Sequence, residues 1–160
     1  RNLVMRAIRG QAAAPVTTGS TYPKPFDKPC QGREIRRLGQ AAGLSQFGVN
    51  LVRMAPGAWS SQRHWHALED EFVIVLSGEL VLVEDAGETV LRAGDCAGFK
   101  AGVRDGHHLQ NRSVADATYL VVGGRDNADW GEYSDIDMVF GPGRYAGGRG
   151  HYKRKDGTSY

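Results

Sequence analysis

Between residues 35 and 123 the chain breaks into short apolar runs separated by glycine-bearing turns, and this rhythm confines it to an all-β architecture. Phe47–Met54 is mostly apolar and ends at Pro56-Gly57. Glu71–Leu76 leads through Ser77-Gly78-Glu79 into Leu80–Glu84. Ala86-Gly87-Glu88 then turns the chain into Thr89–Arg92, and Ala93-Gly94-Asp95 follows. Strands this short and this closely spaced close into a sandwich or a small barrel. No helix is expected in this zone.

Phe72-Val73-Ile74-Val75-Leu76 and Leu80-Val81-Leu82-Val83 are apolar at every position. Successive side chains of a strand point to opposite faces, so both faces of these strands must be covered. One face belongs to the barrel interior. The other is expected to meet a second subunit or the arms, which predicts a homodimer. Residues 1–34 are rich in Pro, Gly, Thr and Ala and read as an extended N-terminal arm. Residues 124–160 are rich in Gly, aromatics and charge. They read as an irregular C-terminal extension that packs on the barrel or a partner, with one short apolar element around Ile136–Phe140. A length of 160 residues suits one domain, the barrel of 35–123, with these two flanks.

With 20 basic and 18 acidic residues the formal charge is +2, which makes no case for a nucleic-acid partner. The Gly/Arg stretch Gly141–Gly150, followed by Lys153-Arg154-Lys155, is a local exception. On a near-neutral chain it reads as a flexible or packing tail, or as a lid over the barrel mouth. No phosphate-binding loop or dinucleotide fingerprint occurs. No apolar run approaches the ~18 residues of a membrane helix, so no membrane partner is expected. Leu3-Val4-Met5 falls short of the about 7–15 residues of a secretory h-region. Cys30 and Cys96 make neither a disulfide framework nor a C-x-x-C pair, so a reducing cytoplasm is the expected setting.

All histidines but His151 fall in two clusters, His64/His66 and His107/His108. Residues i and i+2 of a strand lie about 6.5–7 Å apart on one face, so His64 and His66 can converge on one ion while Trp65 faces away. An unbroken strand would carry Glu71 about 16 Å from His66 and onto the wrong face. The intervening Ala67-Leu68-Glu69-Asp70 must therefore bend, which starts the next strand at Glu71 beside the histidines. Only one of His107 and His108 can point inward. His107 shares its face with Leu109, and His108 with Gln110 and Arg112, a polar set suited to solvent; His107 is favoured. A lone His-x-His is a weak signal, but a carboxylate and a distant histidine complete a coordination set here.

The stretch Gly57…His64-Trp65-His66…Glu71…Gly78 resembles the first cupin motif, G-x5-H-x-H-x3–4-E-x6-G, with Gly57 one residue further from His64 than usual. Gly94…Lys100-Ala101-Gly102…His107…Asn111 resembles the second, G-x5-P-x-G-x2-H-x3-N. Lys100 stands where Pro is usual, and two extra residues precede the histidine. The spacing His107-x3-Asn111 fits and selects His107. The chain is thus similar to small single-domain bacterial cupins over residues 47–123. The resemblance implies a jelly-roll barrel that holds one divalent metal ion with His64, His66, Glu71 and His107.

Three imidazoles and a carboxylate suit Fe, Mn, Ni, Cu or Zn rather than Ca or Mg. An octahedral ion held by four protein ligands keeps two adjacent positions for a small-molecule substrate, or for substrate plus O₂. The leading expectation is a dioxygenase-type metalloenzyme acting on an enol, carbonyl or carboxylate compound. The alternatives are a Lewis-acid isomerase, cyclase, decarboxylase or lyase that uses no O₂, and a non-catalytic binding module for a sugar or other small molecule. The sequence leans towards an enzyme without deciding it. Among the remaining polar residues, Gln62 has the parity of the histidines. Arg53 and Arg63 are cations that could meet a carboxylate, though Arg63 has the parity of Trp65. Glu69 and Asp70 read as solvated turn residues, and Cys96 as a buried small residue.

Overall fold

A computed structural model describes residues 7–17, 19–145 and 151–160; residues 1–6 of the N-terminal arm and 146–150 of the Gly/Arg stretch lie outside the described residues. The strands are β1 (Pro15–Val16), β2 (Arg33–Arg37), β3 (Phe47–Met54), β4 (His64–His66), β5 (Glu71–Ser77), β6 (Glu79–Glu84), β7 (Gly87–Arg92), β8 (Cys96–Phe99), β9 (His108–Gln110), β10 (Ala117–Gly124), β11 (Gly131–Tyr133), β12 (Val139–Phe140) and β13 (Tyr152–Lys153). They form a six-stranded sheet in the order β1-β2-β3-β10-β5-β8, a four-stranded sheet β13-β12-β11-β4 and a three-stranded sheet β7-β6-β9, with every pairing antiparallel. The bridges His64–His107 and Trp59–Gln110 link the two smaller sheets into one layer that faces the large sheet. The result is an all-β jelly roll with a short helix, α1 (Leu38–Ala41), in the β2–β3 connection where none was expected.

The interior follows from strand alternation. Val52 and Met54 of β3, Val73 and Val75 of β5, and Ala117 and Tyr119 of β10 point inward from the large sheet. Leu80 and Leu82, Leu91 and Leu109 point inward from the smaller layer. The β5–β6 turn needs Gly78: its φ is +76°, and a Cβ there would lie 2.8 Å from the Ala117 backbone. A second cluster of Tyr133, Met138 and Phe140, with Tyr22 and Tyr152 against it, ties the C-terminal segment to the N-terminal arm.

The outer face of β5 is not covered by the described residues of the chain's flanks. Phe72 is 42% and Leu76 49% exposed. Among the described residues no helix is long and apolar enough to cross a membrane.

Candidate metal centre

Three separate strand connections converge at one end of the barrel. β4 places His64 and His66 on the side facing the interior, and Trp65, on the other side, packs against Trp130 at 5.4 Å. The bend at 67–70 carries the chain from the four-stranded sheet into the large one, where Glu71 opens β5. Reciprocal backbone bonds between His64 and His107, 2.9 and 3.2 Å, bring the second histidine cluster alongside. Asn111 anchors that cluster: its buried side-chain amide donates to the Met54 and Ala115 carbonyls at 2.9 and 2.8 Å.

The hydrogen bonds set the imidazole tautomers. His64 Nδ1–H donates to the Gln62 carbonyl at 2.8 Å, and His66 Nδ1–H donates to Asp129 Oδ2 at 2.7 Å. Both Nε2 atoms are therefore left with lone pairs, yet they face each other at 3.2 Å. Two lone pairs that close repel unless a cation lies between them. Nitrogens about 2.1 Å from one transition ion, at the angles of a tetrahedral or octahedral shell, would be separated by roughly 3.0–3.4 Å. Glu71 completes the group: Oε2 is 3.7 Å from His66 Nε2, and Oε1 accepts from His107 Nε2–H at 3.0 Å. The nearest ligand atoms of His64, His66 and Glu71 all lie within 4.8 Å of one another. The His107 ring stacks on Phe99 at 3.5 Å, which fixes its plane, while its Nδ1 is buried without a partner.

The protonation states suit a cation. Burial, with the neighbouring His66 and His107, lowers the His64 pKa to about 3. Burial alone would raise the Glu71 carboxyl, but the His107 hydrogen bond and the three surrounding imidazoles outweigh it and hold it at about 2. At neutral pH the Glu71 carboxylate is ionised beside a neutral His64 ring, the form in which these side chains bind metals.

His108, expected in solvent, is buried instead. Its Nδ1–H donates to the Ser61 carbonyl at 2.8 Å, and its Nε2 accepts from Gln110 Nε2–H at 2.9 Å. Gln110 in turn accepts from Arg112, so the expected polar face exists, sheltered by Trp59. With both ring nitrogens engaged, His108 has none left for an ion.

Glu69, expected as a solvated turn residue, is 4% exposed. Oε1 accepts from the Asp126 backbone N–H at 2.8 Å and from the Tyr145 hydroxyl at 2.6 Å, while Oε2 is ion-paired with Arg144. Asp129 is fully buried, and its Oδ1 accepts from the Leu68 N–H at 2.9 Å. Burial would raise its pKa, but the hydrogen bonds from His66 and Leu68 and the nearby Arg144 guanidinium hold it below the usual carboxylate range. His66, Glu69 and Asp129 thus form a saturated hydrogen-bonded network behind the histidine rather than an opening for a second ion. Sequence reasoning missed Asp129, because it reaches His66 only through the β11–β4 pairing, in which Gly131 sits opposite His66. Gly131 permits that approach, since a Cβ there would lie 2.0 Å from the Trp65 carbonyl oxygen.

Gln62 turns away from the pocket and donates to the Phe26 carbonyl at 2.8 Å. Arg63 pairs with Asp135 and Asp85, and Arg53 with Glu34 and Asp116, outside the pocket. Cys96 is exposed on β8 rather than buried. Two adjoining cavities share Asn50, His64, Glu71 and Val121: one of about 190 Å³ inside the barrel, and a cleft of about 300 Å³ at its mouth. The cleft is also lined by Arg125, and by Arg144, Tyr145 and Tyr152 from the C-terminal segment. The Asn50 side-chain oxygen is buried at this junction without a hydrogen-bond partner.

A two-layer jelly roll with a His-x-His…Glu group beside a distant histidine defines a cupin barrel, and comparison with known proteins agrees. The cupin-domain family model matches residues 50–123. A sugar phosphate isomerase of the cupin superfamily from Silicibacter pomeroyi is 49% identical, with a TM-score of 0.83 over 89% of this chain and 88% of that one. The chain belongs to the cupin superfamily. A candidate sugar phosphate isomerase from Acidithiobacillus ferrooxidans is 30% identical, with a TM-score of 0.67 over 71% of this chain and 73% of that one. A predicted oxalate decarboxylase from Thermotoga maritima shares the fold at 20% identity, with a TM-score of 0.57 over 74% of this chain and 97% of that one. No curated protein matches the sequence.

Proposed function

We propose that this protein is a metal-dependent isomerase acting on a small anionic sugar, a sugar phosphate, with one divalent transition ion held by His64, His66 and Glu71, and by His107 once its Nε2 gives up the proton it donates to Glu71. The observation that carries the reading is the 3.2 Å approach of two unprotonated Nε2 atoms beside an ionised carboxylate, at the head of a cleft large enough for a small ligand. The 49% identity to a protein described as a sugar phosphate isomerase supports the reaction class. When bound, the ion would act as a Lewis acid, polarising a substrate carbonyl or hydroxyl. The chain's own contribution is positional. Asp129 fixes the His66 tautomer, Phe99 fixes the plane of His107, and the unpartnered Asn50 oxygen offers an acceptor to a substrate hydroxyl.

Metal analysis of the purified protein, with a panel of aldose and ketose phosphates assayed by proton exchange and product NMR, tests the reading. Interconversion that stops on chelation and returns with metal supports it. Oxygen uptake with enols or catechols and no sugar turnover would replace it with the dioxygenase-type alternative. Ligand binding without turnover would leave a binding module.

The homodimer belongs to the same proposal. Phe72 and Val122 pair across β5 and β10, and Val122 with Val49; Ile74, Leu120 and Leu51 form the next row. With Leu76 these make a continuous apolar outer face on the large sheet. A second copy of the chain, meeting it through the same face, covers it most simply.

A further inference from the structure

The charges of the cleft leave one group over. Its lining holds two guanidiniums, Arg125 and Arg144, and two carboxylates, Glu69 and Glu71. Arg144 is ion-paired with Glu69, and Glu71 faces the imidazoles. Arg125 has no ion-pair partner among the described residues, and none of residues 1–6, 18 and 146–150 is acidic. The Tyr145 ring lies 5.5 Å from its guanidinium carbon.

The floor beneath Arg125 is cleared of side chains. Gly48 pairs with Gly123 across β3 and β10, and Gly123 with Glu71 across β10 and β5. All three lie on the inward face. A Cβ on Gly48 would meet Arg125 Nε at 3.4 Å and Nη2 at 3.6 Å, and a Cβ on Gly123 would come within 3.9 Å of Glu71 Cγ. The guanidinium thus lies over a bare strip of sheet whose far edge, the Glu71 backbone, is two strand spacings from Gly48, about 9–10 Å. Those two guanidiniums and two carboxylates balance, so any divalent ion held at the head of the cleft makes its charge net positive.

We propose that Arg125 is the anion-receiving residue of this cleft, taking the phosphate of a sugar phosphate whose carbonyl end lies over Gly123 towards Glu71 and the histidines. The phosphate identity rests on the isomerase reading; the anion subsite rests on the unpaired guanidinium and its glycine floor. A planar guanidinium binds a phosphate through two parallel hydrogen bonds, whereas a lysine offers only a point charge.

Isothermal titration of metal-loaded protein with a hexose phosphate and with its parent hexose tests the assignment, alongside inorganic phosphate titrated into metal-depleted protein so that the ion cannot be its receptor. Arg125→Met is expected to weaken binding of the hexose phosphate and of inorganic phosphate by about 10–100-fold. Metal content and the weaker binding of the parent hexose should be unchanged, and Arg125→Lys should recover part of the loss. Equal phosphate binding by wild type and Arg125→Met overturns the assignment, as does a wild type that does not prefer the phosphorylated sugar. Absence of isomerisation, with phosphate binding still dependent on Arg125, would discard the isomerase reading and keep the subsite. Isomerisation with a KM indifferent to Arg125→Met would do the reverse.

Discussion

Replacing Asp129 by Asn tests whether the buried network behind His66 serves the metal centre. The two side chains have nearly the same volume, so packing around the site is preserved. Asp129 uses both oxygens as acceptors, one for His66 Nδ1–H and one for the Leu68 N–H. An asparagine has only one acceptor oxygen and must present its NH₂ to one of these donors. If the NH₂ meets His66, the ring must place its proton on Nε2, the atom that faces His64 and Glu71. If it meets Leu68, a buried backbone donor is stranded. The first outcome removes a charge-assisted hydrogen bond of about 1.5–3 kcal/mol from the ligating tautomer. Carboxylate partners of metal-binding histidines typically contribute 10–100-fold to affinity. Competition of Asp129→Asn and wild type against a chelator of known affinity should therefore show metal binding weakened by about one to two orders of magnitude. Urea unfolding of both metal-depleted proteins separates this from a general loss of stability. Unchanged metal affinity in a folded Asp129→Asn protein would refute the role given to the network.

Further outcomes are equally specific. His64→Ala/His66→Ala should contain no stoichiometric metal by elemental analysis after purification, and full retention would sink the ligand set. Phe72→Asp/Leu76→Asp should shift the expected dimer to monomer by light scattering at micromolar concentration; an unchanged mass, or a monomeric wild type, removes that interface. The exposed Cys96 should react with a thiol reagent at pH 8 in the native protein, whereas Cys30, fully buried, should react only on unfolding. Burial raises the Cys30 pKa to about 11 from an ordinary 9.0, so the folded state prefers the neutral thiol. Its contribution to stability is therefore complete below pH 9.0 and declines as pH rises towards about 11. A Cys30→Ala variant whose stability falls just as steeply across that window would show that other groups dominate it.

Local physics made much of the barrel legible. The β5–β6–β7 hairpins were readable because glycine turns and apolar runs are local signals, and both inward sets, Val73/Val75 and Leu80/Leu82, follow from a two-residue period. The same period put His64 and His66 on one face and separated His107 from His108. It failed where burial depends on distant chain. His108 is sheltered by Trp59, and Glu69 by Arg144 and Tyr145, contacts that no spacing encodes. Cys96 lies on β8, at the edge of the large sheet, where a small apolar residue is left uncovered.

The sequence by itself determined an all-β chain with two histidine clusters and a carboxylate brought round by a bend, because strand parity and turn chemistry act over a few residues. Only the tertiary structure decided which tautomers His66 and His108 hold, since Asp129 reaches His66 from 63 residues away and the Ser61 carbonyl reaches His108 from 47. It alone left Arg125 uncommitted over Gly48 and Gly123, because neighbouring strands in the sheet are not neighbours in the chain. Parity states which way a side chain points; what it meets there is settled by how the sheets close.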